Sequence, residues 1–401
     1  MDAQGNRDEV LEHSSNHVGA RDRDDALVPE SPPRVPALAP DVDLFSPVAL
    51  GDLQLANRVV MAPLTRMRSG VSGVPGDLVV EHYRQRAGVG LIVTEGTYPS
   101  AESRAYPGQP GIVDDEQAAG WRRVADAVHE RGGRIVMQVM HSGRVSHPDI
   151  TGTDRIVAPS AIAIQGEAHT PNGKVAYPVP HALTTEEAQA TLADIVAAAK
   201  RAVAAGLDGV EIHSANGYLL HEFLSPNTNE RTDQYGGSPE NRARFVLEVT
   251  TAVAEAIGAG RVGIRISPMH HVQGMHEVDE ADVRATYGYL VDNLRPLGLA
   301  YLSVLHSEPG GELVQELRRR FDGPVIANSG FGRVTTREEA VALIEAAHAD
   351  AVAVGRAIIA NPDLVERLRT GAPLNPPDKT TFYGGGAKGY TDYPALARQK
   401  A

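Results

Sequence analysis

"GLDGVEIHSANGYLLHEFLSPNTNERTDQYGGSPENRARF", residues 206–245, starts on an apolar approach that reads as a short buried strand. The strand should hand over to a helix, and His213, Asn216, Tyr218 and His221 crowd that handover. The same pattern recurs along the chain. Short, β-branched, apolar runs stand at RVVMAP (58–63), VGLIVTEG (89–96), RIVMQV (134–139) and DGVEIH (208–213). They continue at RVGIRIS (261–267), LAYLSVL (299–305), PVIANSG (324–330) and AVAVGR (351–356). Each is apolar along its length, as a parallel strand covered on both faces should be.

Helical patterns lie between these runs. TTEEAQATLADIVAAAKRAVAAG (184–206) has a Thr cap, early glutamates and a Gly stop. DDEQAAGWRRVADAVHERGG (114–133) and TTREEAVALIEAAHA (335–349) follow the same grammar. Eight strand-then-helix units in one chain predict a (β/α)8 TIM barrel rather than an open doubly wound sheet. FSPVALGDLQLANR (45–58) reads as a β-hairpin closing the N-terminal end of the barrel, and the Gly-, Pro- and His-rich stretch 141–183 as a candidate lid. The barrel is expected over 41–401. Residues 1–40, charged and then Pro-rich, bury too little apolar surface to offset their ordering entropy and are expected to be disordered. His13 and His17 in that stretch have the spacing of a helical metal pair, but a solvated tail suits the composition better.

Composition narrows the function. The 401 residues carry 38 basic and 51 acidic side chains, a net charge of −13, which argues against a generic nucleic-acid or membrane-surface binder. No apolar run reaches the roughly 18–20 residues of a spanning helix, and no signal core is present, so a cytoplasmic protein is expected. The chain has no cysteine. Disulfides, thiolate zinc sites, Cys nucleophiles and Cys-ligated iron–sulfur clusters are thereby excluded, and no metal site is expected.

In a barrel of this kind the chemistry sits at the C-terminal strand ends. There the sequence places Thr65 and Arg66, Glu95 and Gly96, Gln138, His213, Arg265, Asn328 to Gly330, and Gly355 with Arg356. An arginine inside an apolar strand is costly unless it meets an anion or polar ligand, or a structural ion pair. "NSGFGR" and "VGR" follow the seventh and eighth strands, where such barrels commonly hold a phosphate. A phosphate corner with polar groups spread over six strands suits a flat polar ring system with a phosphate tail.

Residues 43–395 resemble the Old Yellow Enzyme family of FMN-dependent ene-reductases. The resemblance rests on "RVVMAPLTRMRS" (58–69), "MQVMHSGRVSHP" (137–148) and, most specifically, "HSANGYLLHEFLSPNTNERTDQYGGSPENRARF" (213–245). "IANSGF" (326–331), "VGRAIIANPDL" (354–364) and "FYGGGAKGYTDYP" (382–394) complete it. It implies FMN as cofactor, NADPH or NADH as electron donor, and activated alkenes and phenols as small-molecule ligands. It implies that Pro63, Leu64 and Thr65 lie by the flavin edge, and that Gly96 and Gln138 line the ring. Arg265 would stabilise the reduced flavin, while Gly330, Phe331, Gly355 and Arg356 would hold the phosphate. His213 and Asn216 would bind the substrate oxygen, Tyr218 would donate a proton to carbon, and Tyr383 would line the pocket.

Two departures are visible. Met140 stands where family members often carry Trp, which should reshape the substrate pocket, and Thr65 stands where another branch has Cys. The residue types suit the implied chemistry: hydride addition to an enone builds charge on its oxygen, which two donors stabilise, and the other carbon then needs a proton. His213 and Asn216, three apart, would share one side of a first helical turn. Other readings are a core histidine at His213, packing at Tyr218, a structural or rim role for His221, and a turn device at Asp233–Gly237. A Schiff-base aldolase finds no lysine at the strand ends, and a flavin-binding scaffold without turnover is the other alternative. Deleting residues 1–40 is expected to leave FMN content and turnover nearly unchanged. Loss of most activity in the truncated protein would show that this segment reaches the site.

Overall fold

Eight short parallel strands close into a barrel in the computed structural model, which describes residues 42–396. The extension over 1–40, with His13 and His17, lies outside the described residues. The barrel strands are β1 (Val59–Met61), β2 (Leu91–Val93), β3 (Ile135–Val139) and β4 (Gly209–Ser214). They continue as β5 (Val262–Ile266), β6 (Tyr301–Leu305), β7 (Val325–Asn328) and β8 (Ala351–Val354). Every apolar run expected to be a strand is one. Pairing of Val352 with Val59 and of Val354 with Met61 joins β8 to β1 and leaves no open edge.

Side chains alternate along each strand, and the barrel uses the two faces differently. Outward residues such as Val59, Ile92, Ile135, Ile212, Ile264 and Val304 pack with the surrounding helices in one large core. Inward residues near the strand starts, among them Val60, Leu91, Val136, Tyr301 and Ile326, form a second, smaller core. Higher up, five of the eight strands turn a polar residue inward: Gln138, Glu211, Arg265, Ser303 and Asn328, all buried. The floor of the barrel is therefore apolar and its upper layer is not.

The hairpin Val48–Leu50/Leu53–Leu55 seals that floor, as its sequence suggested. Leu50, Leu53 and Leu55 join the inner core, and each buried leucine contributes about 1.5–3 kcal/mol. Gly51 turns the hairpin at φ 56°, and a Cβ there would sit 2.6 Å from the Gly260 carbonyl oxygen. The Asp52 N–H donates to that same oxygen at 2.8 Å.

Helix starts follow the expected caps. Thr184 caps Thr185–Ala204 in a capping box with Glu187, Asp114 caps Asp115–His129, and Thr336 caps Arg337–Glu345. No helix of the described residues is long and apolar enough to cross a membrane. The stretch 141–183 carries the hairpin Glu167–Thr170/Gly173–Ala176, and its Val145, Ile164 and Tyr177 pack with Met140, Tyr106 and Tyr218 at the barrel mouth.

The C-terminal segment folds back across the loop after β1. Arg66 donates to the Phe382 and Gly389 carbonyls at 2.9 and 3.1 Å, and the Tyr390 ring stacks on His82 at 4.0 Å. Arg68 covers the same Tyr390 ring at 4.2 Å, so three cationic or aromatic groups pin this segment.

One position tests the tightness of the floor. A Cβ at Gly263 would lie 2.2 Å from the buried Tyr301 ring. Gly263→Ala is expected to destabilise the protein by about 1–3 kcal/mol through overpacking. A lower thermal midpoint is the readout, and an unchanged one would show that Tyr301 has room to move.

Candidate active site

β4 delivers His213 to the barrel mouth, and the chain then turns sharply before the helix Leu219–Leu224. Asn216 takes φ 59° and Gly217 φ 80°, so both lie in the left-handed region. Asparagine tolerates that region, and glycine enters it without strain. The expectation that His213 and Asn216 share a helical turn is therefore corrected: one ends a strand, the other sits in a left-handed turn. Tyr218 is the residue that caps the helix.

The loop after β5 holds this turn from behind. The Asn216 N–H donates to Ser267 Oγ at 2.8 Å, and Gln273 Nε2 donates to the Asn216 carbonyl at 2.9 Å. A side chain at Gly217 would press on Gln273 Cβ at 2.9 Å and the Val272 carbonyl at 3.0 Å. His221, fully buried, accepts the Gly217 N–H on Nδ1 at 2.9 Å, which puts its ring proton on Nε2. That nitrogen meets the Tyr287 hydroxyl at 2.9 Å, and Tyr287 in turn donates to Glu277 Oε1 at 3.0 Å. His221 is structural, one of the two roles its sequence allowed.

Burial decides the protonation of the exposed-looking chemistry. Burial first, and the nearby Arg265 charge second, hold the His213 imidazole well below its ordinary pKa, so the ring is neutral. Its Nδ1 is buried without a protein partner. The His213 and Tyr218 rings meet edge to face at 5.0 Å. Burial also raises the Tyr218 phenol above its usual value, and its hydroxyl shares a 2.8 Å hydrogen bond with Tyr106. Tyr106 comes from the loop after β2, and nothing in "SRAYPGQPG" (103–111) marked it in the sequence.

Arg265 is buried in the upper layer with two long contacts to neutral groups, Ser303 Oγ and Asn328 Oδ1, both at 3.3 Å. Its Nε has no partner at all. Among the described residues no carboxylate is in salt-bridge contact with it, although the Glu211 charge acts on it, and its free Nε suits an electron-rich acceptor. Gln138 Nε2 donates to the buried Glu211 Oε1 at 2.8 Å, which fixes that amide in the upper layer.

The other candidate residues fall around the same mouth. Pro63, Leu64 and Thr65 are half-buried in the loop after β1. Glu95 Oε2 accepts the backbone N–H groups of Arg66 and Met67 at 3.0 and 3.3 Å and so ties down that loop. Burial pushes the Glu95 carboxyl up to about 7. Met140 is buried, and its Sδ would lie 2.5 Å from a Cβ at Gly96, so the glycine makes room for the methionine. Gly330, at φ 84°, and Phe331 follow β7, while Gly355 and Arg356 follow β8. Arg356 is exposed and donates to the Phe331 carbonyl at 2.6 Å, which links the two loops. Tyr383 is 67% exposed and belongs to the rim. Among the described residues no group of three His, Asp or Glu side chains is disposed to hold a metal ion.

A flavin mononucleotide fits this set. Arg265, whose buried Nε lacks a partner, would supply a cation for the electron-rich edge of its ring, and the linked loops after β7 and β8 would supply glycines and a solvent-facing arginine for its phosphate.

Comparison with known proteins agrees. Residues 43–375 match the NADH:flavin oxidoreductase / NADH oxidase family. The chain is 43% identical over 362 residues to a probable flavin mononucleotide-dependent alkene reductase of Leishmania infantum, covering 88% of this chain and 97% of that protein. It is 39% identical over 374 residues to enoate reductase 1 of Kluyveromyces lactis, covering 88% and 94%. Among solved structures, morphinone reductase in complex with tetrahydroNAD superposes with a TM-score of 0.83 at 46% identity, covering 89% of this chain and 99% of that one. An old yellow enzyme homologue from Zymomonas mobilis superposes with a TM-score of 0.84 at 38% identity, covering 88% and 100%. Barrel, buried cation and relatives converge: the chain belongs to the NADH:flavin oxidoreductase / NADH oxidase family, the Old Yellow Enzymes, and is an FMN-dependent oxidoreductase that draws electrons from a nicotinamide.

Proposed function

We propose that this enzyme reduces carbon–carbon double bonds conjugated to a carbonyl or nitro group, with NADPH or NADH as the electron source. The observation that carries the reading is the turn after β4, where a neutral imidazole, an amide and a protonated phenol stand within one short segment. The names of the alkene and enoate reductases among its relatives support the same activity.

Arg265, Gln138, Gly96 and the segment Pro63–Thr65 would hold the flavin ring, and Gly330, Phe331, Gly355 and Arg356 its phosphate. Bound there, FMN supplies a group that takes up a hydride and gives it to carbon. The protein's own work begins at the substrate oxygen. His213 and Asn216 donate hydrogen bonds to it, drawing electron density out of the conjugated system and leaving the β-carbon electron-poor. Donors aimed at developing charge in a water-poor site stabilise it strongly, because they need no reorganisation. A neutral His213 donates without first having to shed a solvation shell, and it adds no second positive charge beside Arg265.

Tyr218 then gives its proton to the α-carbon. Burial keeps the phenol protonated until that moment, and the Tyr106 hydroxyl at 2.8 Å can donate to the oxygen left behind. Met140, Tyr106 and Tyr177 set the shape of the surrounding wall. Phenols suit the same donor pair, because a phenolate oxygen resembles the charged oxygen formed during reduction.

Two variants separate the roles. Replacing both His213 and Asn216 with Ala should abolish the long-wavelength absorbance that a bound phenolate gives against oxidised flavin. It should also slow enone reduction by about 10²–10³-fold. Tyr218→Phe should keep phenol binding and flavin reduction by nicotinamide, yet slow reoxidation by cyclohexenone by about 10²-fold or more. Stopped-flow traces of the two half-reactions decide between them. Reoxidation at the wild-type rate in Tyr218→Phe would make Tyr218 a packing residue.

A further inference from the structure

The side chain of Asn216 can present either its amide nitrogen or its carbonyl oxygen to the barrel mouth, and only one of these can donate a hydrogen bond. The backbone of the residue is held on both sides, by Ser267 and Gln273, but neither contact touches the carboxamide. The carboxamide has one hydrogen-bond partner among the described residues. His270 Nδ1 lies 3.1 Å from Asn216 Oδ1. We propose that His270 is a positioning residue that occupies the Asn216 carbonyl oxygen and so turns the NH2 group toward the ligand's oxygen. This inference rests on the reading of Asn216 as a substrate-binding donor.

The surroundings make His270 a fixed donor. Its ring packs edge to face on Phe331 at 4.8 Å and 81°, and its backbone N–H donates to the Ser267 carbonyl at 3.2 Å. The ring is therefore clamped between the loop after β5 and the loop after β7. Burial first, with the positive charge of Arg265 also contributing, pulls its pKa down to about 4. At neutral pH the ring carries a single ring proton. With that proton on Nδ1, the Asn216 oxygen is occupied and both amide protons point elsewhere. The opposite tautomer would turn the Asn216 oxygen into the mouth, where it would face the substrate's own electron-rich oxygen. Through Phe331, the same ring ties the substrate-binding turn to the loop proposed to hold the phosphate.

The test uses the holoenzyme and titration with 4-chlorophenol, read by the long-wavelength band. His270→Phe keeps the ring and its packing on Phe331 but cannot donate to Asn216. Its phenol Kd is expected to rise about three- to tenfold, as for the loss of one hydrogen bond. His270→Gln supplies an amide N–H at a similar reach and is expected to restore binding to within about twofold of wild type. In an Asn216→Ala background, His270→Phe should have no further effect, since the group it orients is gone. Released FMN, measured for each variant, reports whether the fold is retained, and His270→Leu stands in for His270→Phe if that variant loses its flavin. Wild-type phenol affinity in His270→Phe, failure of His270→Gln to rescue, or an undiminished effect in the Asn216→Ala background would each overturn the proposal. Wild-type affinity in Asn216→Ala alone would instead remove Asn216 from the site, and the inference would fall with it.

Discussion

A single backbone N–H, that of Gly217, is caught by the buried His221, and the geometry of the candidate site hangs on that bond. The turn it stabilises runs against the ordinary preference of the chain, because two consecutive residues take positive φ. Such a conformation persists only where its surroundings over-determine it. Here they do. Ser267 and Gln273 hold the peptide groups of Asn216, while Tyr287 and Glu277 hold His221 in one tautomer. The result is a strand-end imidazole, a turn amide and a helix-cap phenol on one short segment, held in register by a neighbouring loop rather than by local helix geometry.

A second constraint is electrostatic. The upper layer of the barrel buries an arginine that, among the described residues, makes no salt-bridge contact, and its field reaches both Glu211 and His213. Desolvation works in opposite senses on neighbouring groups: it keeps His213 unprotonated and Tyr218 protonated. One dry pocket thus holds a neutral imidazole and a protonated phenol side by side. The apolar floor below, sealed by Leu50, Leu53 and Leu55, is what keeps water from entering through the opposite end.

The wall of the barrel mouth is built on a different set of contacts. Gly96 has no side chain because Met140 fills its place, and the wall beside Met140 is completed by Val145, Ile164 and Tyr177 from the stretch 141–183. The loops after β7 and β8, by contrast, are joined to each other through Arg356 and the Phe331 carbonyl, and the loop after β7 meets the loop after β5 through the Phe331 and His270 rings. Two ends of the mouth are therefore mechanically connected over a short path of side chains.

Much of this was legible in the residues. The strand runs, the helix caps and the floor hairpin are local patterns, set by side-chain periodicity and by the hydrogen-bonding needs of helix ends, and each appears where the sequence put it. Strand-end placement of His213, Gln138 and Arg265 followed from the barrel as soon as the strands were counted, because alternation and direction are fixed within a strand. Other features required the folded chain. Tyr106, Ser267, His270 and Gln273 come from loops whose course no local pattern dictates, so their meeting with Asn216 and Tyr218 is a tertiary event. The helical spacing of His213 and Asn216 misled for the same reason, since Gly217 can take a positive φ that only its packing against the loop after β5 selects. Sequence determined the barrel and the chemistry at its strand ends; tertiary structure decided the orientation and protonation of those groups, because both depend on burial and on partners far away in the chain.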